Sequence, residues 1–159
     1  MKKKKEAIRN QILKKVKYYR NSRGIVFLDN PNKQLKEDIV IENNELEVLL
    51  IKLKRSRRIL VTTKHIYFID KKEITKILGK NIERFDYMEL INGEKIIEGK
   101  SKIKKRLLRF KMNFRIGNYR VIQRDGSFTE VTIWKTQLAD CLDDCIKALK
   151  FVVNKYEAI

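Results

Sequence analysis

Hydrophobic and charged positions alternate most cleanly over residues 107–116. Leu108, Phe110, Met112, Phe114 and Ile116 fall on one side, and Arg109, Lys111, Asn113 and Arg115 on the other. A period of two marks a half-buried antiparallel strand, here with a cationic outer face. Gly117-Asn118 and Asp125-Gly126 read as turns, so the pattern predicts a meander of strands over 107–116, 119–124 and 127–134. Upstream, residues 46–54 read as a strand. The β-rich runs 58–62 and 65–70 flank Thr63-Lys64, the commonest hairpin spacing. Further strand candidates cover 73–78 and 82–91 around Gly79. Asn92-Gly93 is a hairpin turn into 94–98, and 99–105 is a polar, basic loop. A short strand candidate at 25–28 precedes the turn at 29–32.

Both ends of the chain carry the helical period instead. Over residues 2–20, Ile8, Ile12, Val16 and Tyr19 keep one face, Leu13 widens it, and the other faces are Lys and Arg. Lys2 to Lys5 oppose the positive end of the helix dipole, so the first turn is expected to fray. Two readings stand for this segment: a helix packed on the body with a solvated basic side, or an interfacial, polyanion-binding arm. Residues 137–156 form the second helix, with Thr136 as N-cap. Its stripe is Leu138, Cys141, Leu142, Cys145, Ile146, Leu149, Val152, Val153 and Tyr156. Asp140, Asp143 and Asp144 sit towards its positive end and Lys147, Lys150 and Lys155 towards its negative end, as the dipole favours. The expected division is a basic N-terminal helix or arm over 1–24 and a domain over 25–159 closed by the helix at 136–156.

Composition adds a ligand class. The chain of 159 residues fits one domain, and 43% hydrophobic residues against 36% charged ones exclude general disorder. The net charge of +18 favours an anionic partner. It is concentrated in three clusters, +9 over 1–23, +6 over 52–64 and +9 over 100–120, on a mildly acidic remainder. No apolar run approaches a membrane span, and no signal-like apolar region follows the N-terminal lysines. Two cysteines make no disulfide framework, so the expected location is the cytoplasm, peripheral at the membrane where the anion is a lipid.

Catalytic chemistry is sparse. The sole histidine, His65, reads as a surface or half-buried strand residue, and Cys141 and Cys145 as core residues one helical turn apart rather than metal ligands. There is no P-loop, dinucleotide fingerprint or nucleophile elbow. The chain therefore reads as a non-enzyme with no cofactor and no metal. Aromatics interleave with bases at Tyr18-Tyr19-Arg20, Arg109-Phe110-Lys111 and Phe114-Arg115, a pattern suited to stacking on nucleic-acid bases. Phe110 and Phe114 lie on the apolar side of their strand, which weakens that reading.

Antiparallel strands followed by one long amphipathic helix resemble the plan of pleckstrin-homology-like (PH-like) domains. The segment Ile59-Leu-Val-Thr-Thr-Lys-His-Ile-Tyr-Phe-Ile69 resembles the hairpin of GRAM and bacterial PH-like domains, and Gly79-Lys-Asn-Ile-Glu83 the segment after their next strand. The resemblance spans 40–156 by architecture and these two segments by pattern. It implies an α+β, mainly β fold: a bent antiparallel barrel of about seven strands capped by a C-terminal helix. The N-terminal helix is extra, the candidates after Leu46 outnumber seven, and 91–106 fits poorly. The resemblance also implies an anion site across the first hairpin loop, whose basic pattern Lys52, Arg55, Arg57, Ile59 and Leu60 satisfy. The candidate ligand-binding residues are Lys52, Lys54, Arg55, Arg57 and Arg58 there, and Lys104, Lys105, Arg109, Lys111 and Arg115 in the third cluster. Arginine forks and lysine ammoniums at a barrel mouth clamp phosphates; the competing reading is a solvated basic loop. Membrane phospholipid headgroups are the first target class. Nucleic-acid phosphates are the alternative, and a third reading is a scaffold that self-associates or binds a protein.

Overall fold

The computed structural model describes residues 2–29, 39–88, 101–104, 106 and 117–157. Within them the protein is α+β, with two antiparallel sheets between an N-terminal and a C-terminal helix. Helix α1 is Lys2–Val16 and ends in a 3-10 turn, Lys17–Tyr19. Strands β1 (Ile25–Phe27), β2 (Glu47–Lys52), β3 (Arg58–Thr62), β4 (His65–Asp70) and β5 (Glu73–Leu78) follow in chain order across the first sheet. Strands β6 (Ile82–Tyr87), β7 (Gly117–Gln123) and β8 (Phe128–Ile133) form the second, and helix α2 (Thr136–Glu157) closes the chain. Among the described residues the two sheets are hydrogen-bonded separately rather than closed into one barrel. No helix among these residues is long and apolar enough to cross a membrane.

Strands β2 to β4 are apolar without alternation because both of their faces are covered. Leu49, Ile51, Ile59, Val61, Ile66 and Phe68 enter the main core. Leu50, Leu60, Tyr67 and Ile69 form a second cluster on the opposite face, covered by Leu28, Ile39 and Ile41. The expected hairpin at Thr63-Lys64 is present, and its turn is fixed locally. The Thr62 hydroxyl accepts hydrogen bonds from the amides of His65, at 2.8 Å, and Lys64, at 3.2 Å.

Helix α2 buries the expected stripe from Leu138 to Val152 against the sheets, and the free thiols of Cys141 and Cys145 lie inside it. Helix α1 joins the same core: Ile12 and Val16 are fully buried, with Ile8, Leu13 and Tyr19 packed beside them. The packed-helix reading of 2–20 therefore describes α1, and its lysine side is exposed. One of its bases is structural. Arg9 is buried and donates from Nε to the Glu47 carbonyl at 2.9 Å and from its guanidinium to the Leu28 carbonyl.

Gly117-Asn118 corrects the sequence reading. Both residues lie in β7, opposite Ile133 and Thr132 of β8, rather than in a turn. Gly117 is required by packing: a Cβ there would lie 2.6 Å from the Tyr87 ring and 2.8 Å from the Tyr119 ring. Tyr119 stacks between Tyr87 and Phe85, with centroids 4.8 and 5.1 Å away, so neither tyrosine ring moves freely. The turn at Asp125-Gly126 is present, with Gly126 at φ +85°. The strand expected at 107–116, the Asn92-Gly93 turn and the 94–98 strand lie outside the described residues.

Candidate functional site

The end of β2 and the turn into β3 carry the second cationic cluster. The Leu53 amide donates to the Arg57 carbonyl at 2.8 Å, and the Arg57 amide to the Lys54 carbonyl at 3.3 Å. Arg55 and Ser56 occupy the turn with φ of 58° and 62°. Positive φ at both central positions is the type I′ pattern, whose twist matches a hairpin but which favours Asn-Gly. The basic tip is therefore held tightly, on residues that do not favour its conformation.

Beside this turn, the chain leaving α1 crosses β2. Gly24, at φ +99°, accepts the Lys52 amide through its carbonyl at 2.6 Å, which brings Arg23 alongside Lys52. Trp134, at the end of β8, donates its indole N–H to the Lys52 carbonyl at 3.4 Å. The ammonium groups of Lys54 and Lys135 stand over its ring, 6.0 and 4.9 Å from the centroid. Arg23, Gly24, Lys52, Leu53, Lys54 and Trp134 line a cleft of about 430 Å³. Among the described residues, no carboxylate lines this cleft. The first two cationic clusters of the sequence thus meet at one place, against an aromatic wall.

The other candidate residues are distributed differently. Arg57 and Arg58 line a smaller cleft, about 130 Å³, which also holds Asp70, Glu73 and Glu130, so its charge is mixed. Arg55 is exposed at the tip of the turn. Lys104 is exposed, while Lys105, Arg109, Lys111 and Arg115 lie outside the described residues. Arg23, Trp134 and Lys135 were missed as site residues. The lone tryptophan beside a lysine at a strand end was the available signal.

A second constellation surrounds Glu45 and corrects the reading of His65. His65 is buried at 5% exposure instead of lying at or near the surface. Its Nδ1 is 3.1 Å from a Glu45 carboxylate oxygen. That carboxylate also accepts the hydroxyls of Thr62 and Tyr67 and, at 2.9 Å, the Glu42 amide. Burial pushes the Glu45 carboxyl up, but these four bonds together outweigh it and hold the group below its ordinary value. Burial and then the bond to Glu45 push the Tyr67 phenol well above its ordinary value. At the rim, hydrogen bonds from Lys64 and Lys76, at 2.7 and 2.8 Å, bring Glu42 down to about 2. A carboxylate with both oxygens doubly occupied has no lone pair left to take a proton from a substrate. Neither cleft described above is lined by Glu45 or His65. The cluster ties residues 42–46 to the β3–β4 hairpin. Among the described residues no group of three or more His, Cys, Asp or Glu side chains is placed to hold a metal ion.

No protein-family profile, no curated protein and no solved structure matches this chain.

Proposed function

We propose that this protein is a non-catalytic, PH-like binding module for an anionic target, with phospholipid headgroups as its ligand class. The carrying observation is the cleft where Arg23, Lys52 and Lys54 converge beside Trp134, with no carboxylate among its described lining residues. Arginine supplies a planar fork for two phosphate oxygens, and the lysines add mobile point charges. Strands β2 to β5 in one sheet, β6 to β8 in another and α2 packed into the core between them support the PH-like plan. On this reading β1 and α1 are additions to it.

The test is titration calorimetry with inositol hexakisphosphate, a soluble polyphosphate, across a salt series. Wild-type protein binds, and K52E/K54E weakens binding by about 100-fold or more, since each reversal turns an attraction at close range into a repulsion. Affinity falls as salt rises. Equal binding by wild type and K52E/K54E would remove the cleft from the account.

A further inference from the structure

Tyr18 is 79% exposed and Phe151 63% exposed, among the largest apolar side chains left in solvent. They are far apart in sequence, yet both line one groove of about 490 Å³ between the end of α1 and α2. The groove wall carries Lys14, Lys15 and Lys17, and its floor includes Val152. Among the described residues, no carboxylate lines it. The Lys17 ammonium stands 5.3 Å from the centroid of the Tyr18 ring.

We propose that this α1–α2 face seats on an anionic lipid bilayer. Phe151 and Tyr18 enter the boundary between headgroups and acyl chains, and the three lysines reach the headgroup phosphates. An aromatic that sheds its water in hydrocarbon, ringed by lysines whose stems follow it and whose ammoniums stay wet, is the composition of an interfacial surface. The aliphatic floor suits acyl chains better than phosphates, and the cations among its described lining residues are all lysines, which disfavours bidentate reading of a nucleic-acid backbone. A two-fold dimer through this face would bring its lysines against their own copies. The inference rests on the membrane reading of the proposed function but uses a different surface, whose lining shares no residue with the cleft at Lys52 and Lys54.

Co-sedimentation with vesicles of phosphatidylcholine alone, and of phosphatidylcholine with phosphatidylglycerol, tests it. Wild-type protein pellets with the mixed vesicles and stays in the supernatant with the neutral ones. Phe151→Ala and Tyr18→Ala each weaken mixed-vesicle binding by roughly tenfold, and Lys15→Ala by about fivefold. All three substitutions are at exposed positions, and all three variants keep wild-type binding of inositol hexakisphosphate. Wild-type vesicle binding by the Phe151 and Tyr18 variants overturns the proposal, as does a loss that appears with duplex DNA and not with vesicles. The two sites separate cleanly: K52E/K54E abolishing polyphosphate binding while vesicle binding still depends on Phe151 upholds the face. Vesicle binding that depends on Lys52 and Lys54 alone rejects it and leaves the cleft standing.

Discussion

Glu45 accepts four hydrogen bonds inside the protein, and its side chain reaches no solvent. Replacing it with alanine removes the carboxylate partner of the Tyr67 hydroxyl, the His65 ring and the Glu42 amide, while the Thr62 hydroxyl keeps the His65 carbonyl at 3.0 Å. Glu45→Ala should therefore cost about 3 kcal/mol or more in a urea-unfolding measurement. A cost below about 1 kcal/mol would mean that water reaches these groups. The pH dependence follows from the same bonds. The folded Glu45 carboxyl lies below its ordinary value of 4.5, so its stabilisation is complete above that pH and is lost as pH falls through the folded value. Tyr67 is raised above its ordinary 10.0, so its contribution is complete below pH 10.0 and is lost at higher pH as the unfolded chain gives up the proton first. Glu45→Gln should flatten the acid limb and shrink the alkaline limb to the part that burial of Tyr67 supplies. Little of this was legible in the sequence. Glu45 stands 20 residues before His65, and only the fold brings the two to 3.1 Å. Gly117 teaches the same point: its backbone freedom suggested a turn, whereas the aromatic rings of Tyr87 and Tyr119 determine the need for a missing Cβ. Gly117→Ala should cost about 2 kcal/mol in thermal unfolding, and less in a Tyr87→Ala background where one ring is gone.

At the scale of elements, the β2–β3 turn has a strain that chemistry can remove. Arg55 and Ser56 both sit at positive φ, where a side chain costs about 1 kcal/mol or more per residue. Arg55→Asn with Ser56→Gly should raise stability by roughly 1 kcal/mol. An unchanged urea midpoint would show that the two residues are not strained there. The β3–β4 hairpin was readable because its turn chemistry is local, the Thr62 hydroxyl serving the next amides in the chain. Helix α2 was readable for a similar reason, since its apolar stripe is a property of spacing alone. Residues 39–41 carried no such period. Ile39 and Ile41 matter because a second sheet face, over Leu60 and Tyr67, needs a cover.

At the scale of the molecule, α1 is both a store of positive charge and a piece of the core. Ile12 is fully buried in it, so Ile12→Ala should cost about 3 kcal/mol. Deleting residues 1–20 should abolish cooperative unfolding instead of merely weakening anion binding. A truncated chain that melts like the full one would make α1 a dispensable arm. The charge itself is divided by the fold. Arg9 is used as an internal bracket, Arg23 joins Lys52 and Lys54 at the cleft, and Lys14, Lys15 and Lys17 border the exposed aromatics.

The sequence by itself determined the elements whose signals are short-range: the two amphipathic helices, the β3–β4 hairpin, the Asp125-Gly126 turn and the excess of bases. Periodicity and turn chemistry act over a few residues, so they are visible before folding. Tertiary structure alone decided which polar groups are buried together and which cations share a cleft. Burial turned His65 from a surface or half-buried strand position into a partner of Glu45, and chain crossing at Gly24 set Arg23 beside Lys52. Both depend on segments brought together from distant parts of the chain, where desolvation and charge are set by neighbours that no local pattern names.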